Sequence, residues 1–277
     1  MAVIDEIRTL VAGFSGVLGV WTQSLNTGET IEWNSRDSFP TASAIKVPIL
    51  CEVFRQAGEG RFGLSDPLTV RAEDVVPGSG ILKDLTPGLS LSVRDLATLM
   101  IVLSDNTAAN MLIDVVGIEA VNEFSATLGL GGTRLESKLF KAPQGAPLNR
   151  STPEDLGRLM VLIATDAILT PQACAEMLAI LGRQHSTDYL TRRISEFDGF
   201  LEAGKTPVVT VASKSGTIRG TRNDVGLVAA HGRRYVLAVM SKGCADRRFY
   251  QDNEGSVLLP KVSEAIYRHF VASEVTA

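Results

Sequence analysis

The chain has 277 residues, of which 45% are hydrophobic and 21% charged, and its formal net charge is −4. A chain of this length and composition can bury a full core, as one large domain or two interleaved ones. Because basic and acidic residues are interspersed without a Lys/Arg cluster, the charge pattern excludes an electrostatic footprint for nucleic acid or an anionic membrane. We expect a neutral or anionic small molecule as the substrate.

The cysteines and the N-terminal residues indicate in which cellular compartment the protein is expected. The three cysteines are an odd number without the close spacing of metal ligands, which indicates buried free thiols rather than disulfides or a zinc site. Residues 1–10 lack a basic region followed by a long apolar run, and no apolar stretch approaches membrane-spanning length. The sequence as written predicts a cytoplasmic monomer without metal or cofactor; a removed leader would make it periplasmic or secreted.

Runs rich in β-forming residues occur near both ends of the chain. Gly16–Ser24 and Thr30–Trp33, separated by Asn26-Thr27-Gly28, predict a hairpin. Three further runs, at residues 208–213, 226–230 and 235–241, predict late strands. No convincing strand is predicted between these two groups.

The middle of the chain is predicted to be helical. Helix starts are indicated by Ser92 with Asp95, Thr152 with Pro153, and Thr170 with Pro171, and an amphipathic helix over residues 262–271 closes the chain. The pattern predicts an α/β plus all-α fold, in which an antiparallel sheet built from both termini is flanked by helices. We assign residues 1–38 and 196–277 to the α/β domain and residues 39–195 to an inserted all-helical domain, with the active site at the seam.

Ser43-Ala44-Ile45-Lys46 places a hydroxyl and an amine three residues apart, which is one face of a helix. A lysine that is desolvated and crowded by a second cation can lose its proton and activate a serine, and Lys214 is a candidate for that cation. Pro48 disfavours the early turns of a helix, so we expect the helix to begin at or just before Ser43. Alone, this spacing is also compatible with a cap and a solvated lysine.

Two further polar runs follow in order. Ser104-Asp105-Asn106 joins two apolar helices, where it lines a cavity or serves as a turn with Asp105 or Asn106 as the cap. Lys214-Ser215-Gly216-Thr217 ends a strand, where it pairs with an extended substrate and donates an amide to an oxyanion, or is an ordinary edge with a turn. The ordered presence of all three runs favours the functional interpretation.

Together these runs match the set of serine β-lactamases and penicillin-binding proteins. The chain resembles a class A serine β-lactamase, within the broader penicillin-binding serine hydrolases, over nearly its whole length. The stretch LSVRDLATLMIVLSDNTAAN, residues 91–110, is similar to the family pattern almost residue for residue. The run Gly220-Thr221-Arg222-Asn223-Asp224 is also similar.

The resemblance implies the following roles. Ser43 would be the nucleophile, Lys46 its activating partner, and Ser104 a relay that protonates the leaving nitrogen. The backbone amides of Ser43 and Thr217 would form the oxyanion hole. Substrate would be bound by Asn106, Lys214, Ser215, Gly216, Thr217 and Arg222. The family resemblance implies a β-lactam or a related amide or ester as the substrate, and a role in antibiotic resistance.

One departure concerns the step that releases the acyl group. Thr133-Arg134-Leu135 and Ser151-Thr152-Pro153 resemble the ends of the family's Ω-loop, which carries a glutamate that activates the deacylating water. The intervening chain here is shorter, and the equivalent positions fall near Leu139, Phe140 and Lys141. Glu136 is the only acid in residues 136–150, so it is the candidate base, although by spacing it matches a structural aspartate.

Three functions are compatible with these residues. The first is a β-lactam hydrolase that forms an acyl-enzyme on Ser43 and releases it slowly. The second is a penicillin-binding peptidase or esterase for which β-lactams are slow inhibitors. The third is a non-catalytic binding protein, which we rank last because the acylating residues are all present.

Overall fold

The computed structural model of the chain describes residues 2–186, 188–199 and 205–271. In chain order, the helices and strands are α1 (Val3–Val11), β1 (Val17–Ser24), β2 (Thr30–Trp33), β3 (Phe39–Pro40), α2 (Lys46–Gly58), β4 (Pro67–Thr69), β5 (Ser90–Ser92), α3 (Val93–Val102), α4 (Asn106–Val116), α5 (Ile118–Thr127), β6 (Arg150–Ser151), α6 (Pro153–Ala164), α7 (Pro171–Leu181), β7 (Val209–Ile218), β8 (Thr221–Ala230), β9 (Arg233–Lys242) and α8 (Glu254–Phe270).

The main sheet joins the two ends of the chain. Its strands lie in the order β2-β1-β9-β8-β7, and every neighbouring pair is antiparallel. Val20 of β1 lies opposite Val239 of β9, so the first strand pairs with the last. This confirms the predicted antiparallel sheet built from both termini. The domain boundaries at residues 38/39 and 195/196 remain a prediction.

The sheet is covered by helices on both faces, because its central strands bury side chains of both alternations. Leu18 and Leu237 contribute to an apolar cluster that includes residues of α1 and α8. Trp21 and Ala238 point to the opposite face and join the larger core formed with α2 to α7. The seam between sheet and helices therefore lies along the face that carries Trp21.

Short strands in the helical region correct the sequence prediction. β3 pairs with β6, and β4 pairs with β5, each over only two or three residues. Such short pairings show no alternation of polar and apolar residues, so the sequence pattern does not predict them. The first pairing ties the segment before Ser43 to the end of the segment 136–150.

Two longer elements begin earlier than predicted. β8 starts at Thr221, because its polar residues Arg222, Asn223 and Asp224 are all buried in the sheet rather than exposed in a turn. α8 starts at Glu254, where the Asn253 side chain accepts hydrogen bonds from the next amides and caps the helix. Polar composition in β8 and the internal proline of α8 account for the missed residues.

The turn that carries Ser43 is a 3-10 helical turn that precedes the α-helix α2. Residues Ala42–Ile45 form a 3-10 turn, and the α-helix α2 begins only at Lys46. Pro48 consequently falls in the first turn of α2, where a missing amide hydrogen costs no intrahelical bond. The helical turn begins just before Ser43, as predicted, but in the tighter form.

Candidate active site

Ser43 and Lys46 face each other across the junction of the 3-10 turn and α2. Lys46 Nζ lies 3.2 Å from Ser43 Oγ. The lysine side chain is fully buried, while Ser43 is only partly buried and can meet a ligand. An amine and a hydroxyl at this distance can exchange a proton directly.

The connection between α3 and α4 surrounds the same amine with oxygen atoms. Lys46 Nζ lies 2.7 Å from the Ser104 carbonyl oxygen, 3.1 Å from Ser104 Oγ and 2.8 Å from Asn106 Oδ1. Ser104 has a positive φ of 54°, a conformation that turns both its carbonyl and its hydroxyl toward Lys46. A hydroxyl that reaches the amine beside Ser43 is in position to pass on a proton.

Asp105 holds this connection in place. Its carboxylate accepts hydrogen bonds from the amides of Ala108, Ile81 and Leu82 at 2.7 to 3.0 Å. It therefore caps α4 and ties the segment before α3 to the site. The cap interpretation of the Ser104-Asp105-Asn106 run and the functional one are both compatible with this geometry.

The environment favours a neutral Lys46. Burial holds the pKa of Lys46 well below its usual range, the positive charge of Lys214 lowers that pKa further, and the negative charge of Asp105 opposes them. A neutral amine has a lone pair that can accept the Ser43 proton. The charge of Lys214 thus acts on the Lys46 pKa in the predicted direction.

β7 reaches the Ser43 turn through Gly216. A Cβ at this position would lie 2.5 Å from the Thr41 carbonyl oxygen and 2.9 Å from the amide nitrogens of Ser43 and Ala44. Only glycine permits so close an approach of backbone to backbone. The approach places Gly216, the residue before Thr217, against the Ser43 amide; an oxyanion hole formed by the amides of Ser43 and Thr217 stays a prediction.

Lys214 and Ser215 are the two residues that precede Gly216 on β7. Lys214 Nζ donates a hydrogen bond to the Ser215 carbonyl oxygen at 2.9 Å. It also donates to the side-chain oxygen of Gln184 at 2.9 Å when the Gln184 amide is oriented so that its oxygen and its nitrogen both have partners. Burial lowers the pKa of Lys214 to about 8, while the nearby carboxylate of Asp224 opposes this effect. Lys214 is therefore a cation that titrates close to neutral pH.

The comparisons with known proteins agree on the family. A family model described as "Beta-lactamase enzyme family" matches residues 2–270. The chain belongs to this family. A β-lactamase of Rhodobacter capsulatus is 28% identical over 273 residues, which cover 96% of this chain and 89% of the relative. This confirms the predicted resemblance to class A serine β-lactamases and the prediction of a serine hydrolase.

Solved structures of similar proteins share the fold. A β-lactamase from Sphaerobacter thermophilus is 29% identical, with a TM-score of 0.86 over 96% of both chains. PBP-A is 31% identical, with a TM-score of 0.83 over 96% of this chain and 95% of that one. A mutant of PBP-A was solved as an acyl-enzyme complex with penicillin G.

Arg222 is not among the residues gathered around Ser43 in this β-lactamase family member. Its guanidinium is buried and donates to Ser256 Oγ and to the carbonyl oxygens of Ile218, Thr221 and Arg248. These hydrogen bonds join the β7–β8 turn to the first turn of α8 and to the segment before it. A direct contact between Arg222 and a substrate stays a prediction, and the observed hydrogen bonds favour a structural role.

Glu136 is held away from the acylating residues by two arginines. It forms ion pairs with Arg150 and, at 3.4 Å, with Arg134, on the strand bridge that closes the loop. In the described part of the chain no hydrogen bond or ion pair joins Glu136 to Ser43 or Lys46. The geometry therefore favours the structural role that its spacing suggests.

Leu139 is held to α4 by both of its backbone polar groups. Its amide donates to Asn110 Oδ1, and its carbonyl accepts from Asn110 Nδ2, both at 2.8 Å. Asn110 lies on α4, one turn after Asn106, so the loop is attached to the helix that begins in the site. The sequence analysis assigns no role to Asn110. A polar residue on an apolar helix face is the feature that could have indicated such a buried hydrogen-bonding role.

Other residue types add little to the site. His231 pairs with Glu196 and His269 with Glu29 near the surface, and His185 is exposed. The three cysteines are buried and free, as predicted. Within the described ranges no cluster of His, Cys, Asp or Glu suits a metal ion, and no helix is long and apolar enough to cross a membrane.

Proposed function

We propose that the protein is a β-lactam hydrolase that forms an acyl-enzyme on Ser43 and releases it slowly. The observation that carries this proposal is the buried Lys46 amine, with a lowered pKa, between Ser43 Oγ at 3.2 Å and Ser104 Oγ at 3.1 Å. A nucleophile, a base and a relay in contact are what acyl transfer requires. The membership of the β-lactamase family supports a small β-lactam as the substrate.

Acylation would proceed in two proton transfers. Lys46 takes the hydroxyl proton of Ser43, whose oxygen bonds to the lactam carbonyl carbon while the carbonyl electrons move onto its oxygen. The amides of Ser43 and Thr217 stabilise that oxyanion, and losing one such donor typically costs about a hundredfold to a thousandfold in rate. The C–N bond then breaks, and the proton returns through Ser104 to the leaving nitrogen.

Polar groups on both sides of Ser43 would orient the substrate. The charged ammonium of Lys214 and the Ser215 hydroxyl are placed on β7 to bind the carboxylate common to β-lactams. Asn106 lies on the opposite wall, where its side chain would orient the substrate's amide. Gly216 contributes by letting β7 approach the Ser43 turn.

Every residue of this proposed site belongs to one chain, so the site needs no partner subunit. We therefore propose a monomer.

Deacylation would be slow because the loop presents no free carboxylate. Glu136 is neutralised by Arg134 and Arg150, and the position fixed by Asn110 carries Leu139. Lys46 is the remaining base beside the ester. It would take a proton from water as the water oxygen bonds to the acyl carbon, and that proton would return to Ser43 as the ester bond breaks.

Intact-protein mass spectrometry tests the proposal. After mixing with penicillin G, we expect the full mass of the drug to be added to the protein and then to be lost slowly, with slow steady turnover of nitrocefin. The Ser43→Ala variant should show neither adduct nor turnover. Absence of both in the native protein at high concentration would contradict the proposal, and an adduct that never leaves would contradict hydrolysis.

A further inference from the structure

Gln184 is a buried glutamine that lies between two walls of the site, three residues after the end of α7. One end of its side-chain amide faces the carbonyl oxygens of Ile101 and Val102, and the other end faces two nitrogen donors of β7. The first end must be the nitrogen and the second the oxygen, because the amide nitrogen only donates hydrogen bonds and the oxygen only accepts them.

On the first side, Gln184 holds the end of α3. Its nitrogen donates to the carbonyl oxygens of Ile101 and Val102, both at 2.9 Å. Carbonyl groups in the last turn of a helix lack partners within the helix, so a side chain can satisfy them. Ser104 follows Val102 by two residues, and Gln184 is therefore attached to the wall that carries the proposed proton relay.

On the second side, Gln184 holds Lys214. The amide oxygen accepts from Lys214 Nζ at 2.9 Å, and the Ser215 carbonyl oxygen accepts a second hydrogen bond from the same ammonium at 2.9 Å. Among the described residues these are the hydrogen bonds of the Lys214 side chain. An ammonium has three N–H donors, so one is left for the carboxylate of a substrate.

Gln184 also covers part of the outer edge of β7. Its oxygen accepts from the Ser215 amide at 3.3 Å. Amides two residues apart on an antiparallel strand point to the same side, so the amide of Thr217 points to the same edge as that of Ser215. The first of these amides is therefore occupied by the protein itself, and the second is left for the proposed oxyanion.

We infer that Gln184 is a positioning residue for the proposed acylation: it directs the free N–H of Lys214 toward the substrate's carboxylate and ties the α3 wall to the β7 wall. This inference rests on the proposed function. A neutral amide suits this role, because a carboxylate at the same place would form an ion pair with Lys214 and compete with the substrate.

Acylation by two matched substrates tests the inference. Gln184→Leu removes both ends of the amide. We expect the second-order rate constant for penicillin G, followed by intact mass, to fall about tenfold or more, because a hydrogen bond that orients a charged group is lost. The methyl ester of penicillin G has no carboxylate for Lys214 to bind, so its rate should change much less. A merely structural role would lower both rates by the same factor.

Two variants at position 184 should shift the pH dependence of penicillin G acylation in opposite directions. Gln184→Leu removes an acceptor from the Lys214 ammonium and so lowers the pKa of Lys214, and the alkaline fall in rate should begin at lower pH. Gln184→Glu places a negative charge beside the ammonium and raises that pKa, so the fall should move to higher pH. Lys46 and Asp224, the titratable groups that interact with Lys214 from α2 and β8, are the same in both variants.

Gln56→Leu is the matched control. Gln56 is also a buried glutamine, and its amide donates to the Val116 carbonyl oxygen and to Glu52, ten residues beyond Lys46 on α2. This variant should lower the free energy of unfolding without changing the ratio of the two acylation rates or the pH dependence.

Equal losses for penicillin G and its methyl ester in Gln184→Leu would overturn the inference alone, and so would the same alkaline fall in the native protein and both Gln184 variants. Absence of acylation of the native protein by any β-lactam would instead overturn the proposed function and the inference with it.

Discussion

Lys46 and Lys214 are two buried lysines with opposite requirements. In the proposed mechanism Lys46 must be neutral to accept the Ser43 proton, and its pKa is lowered by burial and by Lys214. In the same mechanism Lys214 must be charged to bind a carboxylate, and its pKa is lowered to about 8 by burial. The same low-dielectric environment thus helps the first role and limits the second.

A bell-shaped pH dependence of acylation follows. The rate should rise with pH as Lys46 loses its proton, and should fall as pH rises through about 8, where Lys214 loses its charge. Stopped-flow measurement of acylation by a chromogenic cephalosporin, from acidic pH to above pH 8, would measure both the rise and the fall of the rate.

Lys214→Arg is the matched control, because arginine stays charged throughout that range. The alkaline limb should move upward in this variant while the acidic limb stays. An alkaline limb unchanged by the substitution would contradict the assignment to Lys214.

Leu139 is the residue at which an acid would change the chemistry. Asn110 fixes its backbone, and Leu139 lines the same cavity of about 220 Å³ as Ala42, the residue before Ser43. Leu139→Glu should accelerate loss of the acyl group by about tenfold or more, because a positioned carboxylate can take a proton from water. The decay of the adduct mass measures this rate.

The control for that substitution is Leu139→Gln, which has the same shape without a base. If both variants release the acyl group at the same rate, proton abstraction at position 139 is contradicted. A slower acylation common to both would report only the changed cavity.

At the scale of elements, the contact between β7 and the Ser43 turn is a tight constraint on the site. Gly216→Ala would place a methyl group 2.5 Å from the Thr41 carbonyl oxygen, so the strand must move away. We expect acylation to fall at least about tenfold and the free energy of unfolding to fall by about 1–3 kcal/mol. Acylation rates and denaturant titration measure the two effects.

Gly131→Ala provides the comparison, since an added Cβ there meets nothing within 4 Å. It should leave acylation unchanged. Equal behaviour of the two alanine variants would contradict the close approach.

These elements also show what local sequence can and cannot predict. The Ser43–Lys46 spacing, the caps at Ser92 and Thr152, and the long runs of β-forming residues were predictable, because each depends on neighbours in sequence. The salt bridge of Glu136 with Arg150 and the anchoring of Leu139 by Asn110 depend on residues 14 and 29 positions away. No local pattern encodes such distant partners.

At the scale of the molecule, helices and sheet pack very closely where α6 meets β1. α6 packs on the sheet at Gly157, where an added Cβ would lie 2.1 Å from the Trp21 ring. The site spans the same seam, since Ser43 and Lys46 belong to the helical part and Lys214 to the sheet. Its geometry depends on how these layers pack.

Gly157→Ala should therefore destabilise the protein by about 1–3 kcal/mol, although glycine to alanine within a helix ordinarily stabilises by about 0.5–1 kcal/mol. Gly58→Ala, at the last residue of α2 with nothing within 4 Å, is the matched control and should show the ordinary sign. Thermal unfolding of both variants measures the difference, and a stabilised Gly157→Ala variant would contradict the tight seam.

The antiparallel sheet and its helical covering were predictable at this scale because β1 and β9 are nearly continuous runs of β-forming, apolar residues that are buried on both faces. The hydrogen-bond partners of Arg222 were not predictable, because a sequence motif indicates which residue is present and not which carbonyl groups surround it. The buried guanidinium is satisfied by oxygens from three separate segments.

β7 is an outer strand of the sheet, paired only with β8 among the described residues. Exposed strand edges can template pairing with other chains, and most proteins blunt them with charges, prolines or bulges. If a substrate pairs along this edge, the edge must stay accessible at the site. Ser213–Gly216 are buried while Thr210 and Thr217 are exposed, so edge-to-edge self-association would start at the ends of β7, and a bound acyl group would cover the end beside the Ser43 turn.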